Sequence, residues 1–278
     1  MLYFLLGIVL FVICFVGCQA DFVARQLLFH PTKYPKGNWE ILDDAKYVSM
    51  EVNFRNEKDQ LLVGRYFSYQ KIVENDTARG SVLYCHGNAI NISHMTDFAL
   101  RLSRDLRCNV LIFDYAGYGK SSGEPTATGI LGDGRAARDW LAAFDGIDRE
   151  RVIVYGQSLG GSVAVDIAAI DGARGLIVES SFTSIGDMGR KLLPLLPANY
   201  LLRERLASID KIGNVNCPVF ISHGKADNVI PFTQGQRLFN AAKEPKTFFI
   251  PQLGNDYHSA PHSKEHRKKL KEFVETIP

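Results

Sequence analysis

The sequence carries no excess charge of either sign: 32 Lys and Arg stand against 30 Asp and Glu in 278 residues, a formal net charge of +2. Phosphate binding needs a concentrated positive field, so this balance argues against nucleic acid as a partner. Nor does the chain combine low hydrophobicity with high net charge, the signature of disorder, because 46% of its residues are hydrophobic. Its 24 glycines and 11 prolines are too few for collagen-like or low-complexity structure. Cysteine is scarce: there are five, with no Cys-x-x-Cys and no Cys/His spacing of a metal site. Cys14 and Cys18 lie near the N-terminus, while Cys85, Cys108 and Cys217 each border an apolar run. That odd set of three predicts buried free thiols rather than a disulfide framework. What remains is a globular chain, long enough for one large domain or two small ones.

The sharpest absence is local. No charged side chain precedes Asp21, and residues 1–18 are almost wholly apolar. As a helix this leader would span about 27 Å, marginally short of a hydrocarbon core of roughly 30 Å. A cleaved signal peptide, a short signal anchor and a lipoprotein signal all fit that length. The ending Phe15-Val16-Gly17-Cys18 resembles a bacterial lipobox, in which Cys18 would be lipidated and become the mature N-terminus. No Lys or Arg precedes the run; Arg25, Lys33 and Lys36 follow it, an order that the positive-inside rule associates with a domain left in the cytoplasm. The expectation is membrane attachment through residues 1–20, either by a lipid at Cys18 after export or by a single N-terminal anchor.

Beyond the leader, 21–44 reads as a connecting segment, broken by Pro31, Pro35 and Gly37. Alternating strands and helices then occupy 45–278. Segments 47–54 and 61–67 form two strands joined by a polar turn, an antiparallel hairpin. Near-continuous apolar runs at 81–85, 109–113, 151–155, 175–178, 218–222 and 247–250 have the character of parallel strands covered on both faces. Helix-length stretches at 91–106, 126–144, 158–170, 233–242 and 263–276 separate or follow them. The pattern predicts one α/β domain: a mostly parallel sheet with an initial antiparallel hairpin and helices on both faces. The rhythm pauses over about 180–216, where Leu192-Leu193-Pro194-Leu195-Leu196-Pro197 suggests a short helical cap. Ordinary helices packed on the sheet are the alternative.

Gly156-Gln157-Ser158-Leu159-Gly160-Gly161 follows a predicted strand and opens a predicted helix. A nucleophile on so tight a turn needs small neighbours, and the helix N-terminus aims unsatisfied N–H groups at developing negative charge. A serine hydroxyl needs a base to take its proton, and the base needs a partner that fixes its tautomer. Of seven histidines, His258 lies in a loop between the last strand and the last helix, from which it could reach back over the sheet. His266 reads as part of the charged face of the terminal helix, His94 as helical, and His86 as a loop-shaping imidazole. For the acid, Asp227 follows the penultimate strand, Asp256 is the nearest competitor, and Asp114 reads as a structural loop residue. The oxyanion hole requires two backbone donors. Leu159 can supply one, and the loop Cys85-His86-Gly87-Asn88-Ala89 the other, through Asn88 or, second, Ala89.

His86-Gly87-Asn88, Asp114-Tyr115-Ala116-Gly117-Tyr118-Gly119-Lys120-Ser121, Gly156 to Gly161, His223-Gly224-Lys225-Ala226-Asp227 and Tyr257-His258 occur in that order. The chain thus resembles the abhydrolase-domain branch of the α/β-hydrolase superfamily, over nearly everything after the leader. That branch includes membrane-tethered esterases, lysophospholipases and acyl-protein thioesterases, with bacterial lipoprotein relatives. The resemblance implies Ser158 as nucleophile, Asp227 as acid and His258 as base, in the chain order of this fold. Ala116 stands where many members carry arginine. The implied activity is hydrolysis of an ester or thioester of a hydrophobic, small-molecule or lipid-like acyl substrate, with no metal or organic cofactor. An aminopeptidase or amidase on the same triad, and a catalytically silent membrane-tethered binding module, are the alternatives.

Overall fold

The structure, a computed structural model, describes residues 25–26, 28–39, 49–73, 76–192, 206–251 and 263–278. Cys18, His258 and the run 193–197 lie outside the described residues.

Among the described residues, eight strands form one sheet. They are β2 (Ser49–Arg55), β3 (Leu61–Phe67), β4 (Ser81–Cys85), β6 (Asn109–Phe113), β7 (Val152–Gln157), β8 (Gly175–Glu179), β9 (Val219–Ser222) and β10 (Lys246–Phe249), in the spatial order β10-β9-β8-β7-β4-β6-β3-β2. β3 pairs antiparallel with both β2 and β6, and every other pairing is parallel. The expected hairpin and parallel sheet are both present. Two further two-residue strands, β1 (His30–Pro31) and β5 (Ala89–Ile90), pair in parallel apart from the main sheet. The connecting segment therefore contributes a short strand, held against the loop after β4. Such a pairing is invisible to local periodicity, because a stretch interrupted by prolines is defined by its distant partner.

Helices cover both faces. Successive residues of a strand point to opposite sides, so a strand buried on both must be apolar throughout. Leu83, Leu111, Val154, Val178 and Ile221 join one cluster with residues of α2 (Ala127–Asp145) and α3 (Leu159–Ile170). Val82, Val110, Ile153, Ile177 and Phe220 join the other with α1 (Thr96–Leu106) and α6 (Lys264–Thr276). Two further helices are α4 (Ile185–Leu192) and α5 (Phe232–Ala241). The ends follow local chemistry. Thr126 caps α2 by accepting from the Gly129 N–H at 2.9 Å, and Gly146 ends it at φ 65°. Ser263 caps α6 in the same way, at 3.0 Å from the His266 N–H. The stretch expected as one helix over 91–106 divides: the Asn91 side chain caps a 3-10 turn (Ile92–His94), and α1 begins at Thr96. Within the stretch expected as a cap, Phe182, Leu206, Ile212 and Val215 are buried in the core. Cys85, Cys108 and Cys217 are free and buried, and burial pushes the Cys217 thiol up to about 11.

This topology locates the site. From β4 the chain moves outward through α1 to β6, then returns through α2 to β7 on the other side of β4. The helices leaving β4 and β7 lie on opposite faces, which opens a crevice beyond the carboxyl ends of these strands. In an open α/β sheet such a switch point is where ligands bind.

Candidate active site

Ser158 stands at that switch point, between β7 and α3, with φ 53° and ψ −117°. For a residue with a Cβ this backbone costs about 1–3 kcal/mol and persists only where its surroundings impose it. Here they do. The Ser158 N–H donates to the Glu179 carbonyl at 2.9 Å, and its own carbonyl accepts from the Gly161 N–H at 3.0 Å and the Ser181 hydroxyl at 2.7 Å. A Cβ added to Gly160 would lie 2.0 Å from the Cys85 carbonyl oxygen and 2.6 Å from that of His86. One on Gly156 would lie 2.1 Å from the Gly160 carbonyl oxygen. The two glycines let α3 press against β4 and β7, which drives Ser158 into the turn. Gly160→Ala should therefore destabilise the fold by about 3 kcal/mol, the upper range for overpacking, since the clash is with backbone. Urea unfolding would measure it; an unchanged midpoint would show that α3 can move away freely.

The half-buried Ser158 side chain faces the loop after β4. A Cβ built on Gly87 would be 3.5 Å from Ser158 Cβ and 4.0 Å from its Oγ. Asn88 follows Gly87, and Leu159 supplies the first N–H of α3, one of the donors a helix leaves without an internal partner. The structure thus brings Ser158, Leu159 and the Gly87-Asn88 turn together. His86 takes no part in the crevice: it is 1% exposed, and burial pushes its imidazole down to about 4. Its Nδ1 lies 2.7 Å from the Gly87 carbonyl, which can only accept, so Nδ1 carries the proton. Asp114 faces His86 Nε2 at 3.7 Å and accepts from the Ile92 N–H at 2.9 Å. Burial pushes the Asp114 carboxyl up to about 8, against the Ile92 N–H and the Arg65 charge. Both residues shape the loop, as expected.

Asp227 lies in the loop after β9, two strands from β7, a separation of about 10 Å at normal strand spacing. Its Oδ1 accepts from the N–H groups of Val229 (2.9 Å) and Ile230 (2.8 Å). Burial opposes its charge, but His223 and these N–H groups outweigh burial and hold the carboxyl below its ordinary range. His223 Nε2 gives its proton to the Ile230 carbonyl at 2.9 Å and stands 3.4 Å from Asp227 Oδ2. Oδ2 is buried and has no hydrogen-bond partner among the described residues. The carboxylate is oriented and charged, with one acceptor left over. Its expected partner, His258, is outside the described residues, as is the competitor Asp256.

Sequence patterning misplaced one histidine. His266 is 0% exposed, and its Nε2 meets Glu179 Oε1 at 2.6 Å. It shares its helix face with Leu270, Phe273 and Val274, all buried, and the heavily charged composition of α6 hides that 3.6-residue stripe. Tyr155 donates to the other Glu179 oxygen at 2.5 Å, and Ser222 to Oε1 at 3.3 Å. Burial would raise the Glu179 carboxyl, but His266, Tyr155 and Ser222 outweigh it and hold it below the ordinary range. This buried group sits directly behind the Ser158 turn, whose N–H binds the Glu179 carbonyl. In sequence the only hint is an acidic residue closing the apolar strand Gly175-Leu176-Ile177-Val178-Glu179. Among the described residues no group of His, Cys, Asp and Glu could hold a metal ion.

Comparison with known proteins gives a consistent picture. A model described as the alpha/beta hydrolase family matches residues 82–263. An uncharacterized protein of Mycobacterium tuberculosis (strain H37Rv) is 34% identical over 249 residues, covering 88% of this chain and 83% of that protein. The human alpha/beta hydrolase domain-containing protein 17B is 35% identical over 200 residues, covering 71% of this chain and 67% of its own. Among solved structures, an esterase of Pyrococcus furiosus superposes with a TM-score of 0.70 over 89% of this chain and 99% of that one, at 18% identity.

Proposed function

Because the chain belongs to the α/β hydrolase family, we propose that it is a serine hydrolase that cleaves carboxylic esters or thioesters through an acyl-enzyme. The observation that carries this reading is the strained Ser158 backbone at a strand-to-helix turn, a costly conformation that packing alone has no need of. In the reaction, Ser158 Oγ attacks the acyl carbon while His258 takes its proton. Asp227 Oδ2, a buried oxygen without a hydrogen-bond partner among the described residues, accepts the Nδ1 proton of His258 and fixes its tautomer. The N–H groups of Leu159 and Asn88 hold the oxyanion, the leaving group takes the proton from His258, and water repeats the cycle on the acyl-enzyme.

A hydrophobic acyl group suits the surroundings. Ile90 and Val229, two residues beyond Asn88 and Asp227, are 40% and 52% exposed. The apolar leader would bring the chain to a membrane where such substrates concentrate. Among the described residues no helix is long and apolar enough to cross a membrane, so attachment in this reading rests on residues 1–20, through a lipid on Cys18 or an uncleaved anchor. Mass spectrometry of the mature N-terminus, with Cys18→Ala beside it, separates these.

The reading as a whole is tested by a fluorophosphonate probe on the full chain. The expected result is one adduct, on the peptide containing Ser158, and hydrolysis of p-nitrophenyl esters that rises with acyl-chain length. An adduct on another residue, or none in folded protein, would remove Ser158 as the nucleophile.

A further inference from the structure

Three successive carbonyls in the loop after β4 are each held by a side chain, two of them from outside the loop. The Tyr115 hydroxyl donates to the His86 carbonyl at 3.0 Å, and the His86 ring donates to that of Gly87 at 2.7 Å. The Asn88 carbonyl receives two donors, the Tyr118 hydroxyl at 2.8 Å and the His30 backbone N–H at 2.9 Å. In a trans peptide the C=O and N–H point in opposite directions, so each held carbonyl also fixes the N–H of the next residue. The direction of the Ala89 N–H, the second candidate oxyanion donor, is therefore set by Tyr118 and His30 from beyond the turn, and that of the Asn88 N–H by the His86 ring within it.

Those groups come from two segments with no assigned role. Tyr115 and Tyr118 are fully buried in the loop after β6, with their rings 4.5 Å and 5.4 Å from the His86 ring. His30 belongs to the strap 28–39, which lies between the loops after β4 and β6. The strap's Thr32 carbonyl accepts from the Gly119 N–H at 3.0 Å, and its Tyr34 N–H donates to the Gly119 carbonyl at 2.8 Å. The Asn91 side chain donates to the carbonyls of Thr32 (2.9 Å) and Lys36 (3.0 Å), and Ser93 Oγ accepts from the Asn38 N–H at 2.9 Å. Gly37, at φ 124°, makes room: a Cβ there would lie 2.3 Å from Ser93 Oγ.

We infer that Tyr118 and the N-terminal strap are positioning elements for the oxyanion hole: by clamping the Asn88 carbonyl they fix the Ala89 N–H directly and anchor the residue that carries the Asn88 N–H, so that the donor is aimed before substrate arrives. The inference rests on the reading of the Asn88 loop as an oxyanion donor. Preorganisation of this kind acts on the transition state, where charge develops, and leaves ground-state binding alone.

The test uses the full chain in detergent micelles, with Tyr118→Phe, which removes the hydroxyl, and His30→Pro, which removes the N–H. Each should lower kcat on p-nitrophenyl butyrate about tenfold, a fraction of the roughly 10²–10³ lost when an oxyanion donor is deleted outright. KM should stay within about twofold. The inhibition constant of a trifluoromethyl ketone, whose adduct with a serine mimics the oxyanion, should rise by the same factor as kcat falls. Rates are divided by active-site titration and compared with thermal midpoints, so that unfolded protein does not count as slow enzyme. Should Tyr118→Phe fail to fold, His30→Pro gives the same readout. A folded variant of either kind with unchanged kcat and unchanged inhibition, or with a change in KM alone, overturns the inference. Ser158→Ala, assayed in parallel, keeps the two levels apart: wild-type hydrolysis by that variant would overturn the hydrolase reading itself.

Discussion

Replacing Ser158 with glycine should abolish hydrolysis and at the same time make the protein more stable, by about 1 kcal/mol. Loss of the nucleophile should lower kcat by at least about 10³-fold, leaving only what the oxyanion donors and substrate binding supply. The gain in stability comes from the backbone. At φ 53° and ψ −117° a residue with a Cβ is strained by about 1–3 kcal/mol, and glycine is not. Part of that relief is returned, because glycine gives the unfolded chain more freedom, at about 0.5–1 kcal/mol. Ser158→Ala is the informative companion: it removes the hydroxyl but keeps the strain, so it should be equally inactive and remain near wild-type stability. Urea unfolding of the three proteins reads both quantities. A glycine variant no more stable than the alanine variant would mean that the turn is relaxed, and that the strain is not a cost borne for catalysis.

The second large effect is expected behind that turn. Glu179 and His266 are both buried, with His266 Nε2 2.6 Å from Glu179 Oε1, and removing the partner of a buried ionised group costs about 3–5 kcal/mol, because that group is left without compensation. His266→Gln and Glu179→Gln should each lower the unfolding free energy by about that amount. The double variant should lose clearly less than the sum, since two neutral amides leave no stranded charge. Simple additivity would show that the two groups do not act as a pair. Acid should weaken the same interaction. The folded Glu179 carboxyl is held below its ordinary value, so its contribution is complete above about pH 4.3, where the unfolded carboxyl titrates, and is lost as pH falls through the lower folded value. Replacing His266 should flatten that part of the stability–pH curve.

Much of this architecture is legible in the sequence for a physical reason. A parallel strand buried on both faces must be apolar throughout, and β4 and β6 occupy the residues their apolar runs mark out, as β3 occupies those of the expected hairpin. The Ser158 turn is legible too, because close approach of α3 to β4 requires glycine at fixed positions beside it. The place of Asp227, in the loop after β9, is legible as well. What escapes a local reading is set by long-range partners. The stripe carrying His266 is masked by the lysines and glutamates on the rest of α6. Glu179 reads as the polar end of a strand until Tyr155, Ser222 and His266 are seen to converge on it. Tyr115 and Tyr118 stand inside a motif recognised from the sequence, but the carbonyls they hold lie about thirty residues away, beyond any periodicity.

The strap has a consequence of a different kind, concerning reach. Its first strand residue, His30, is fixed beside Asn88, and Cys18 is 30 − 18 = 12 residues earlier in the chain. Twelve residues extend at most about 43 Å, at 3.6 Å each. For a leader seated in a bilayer, this tether is attached at the mouth of the crevice and not on the far side of the domain. The catalytic opening would hang within that distance of the lipid surface whatever way the domain swings, so an acyl chain on a protein or lipid could be reached only near the membrane. A substrate presented higher would have to come down to the enzyme.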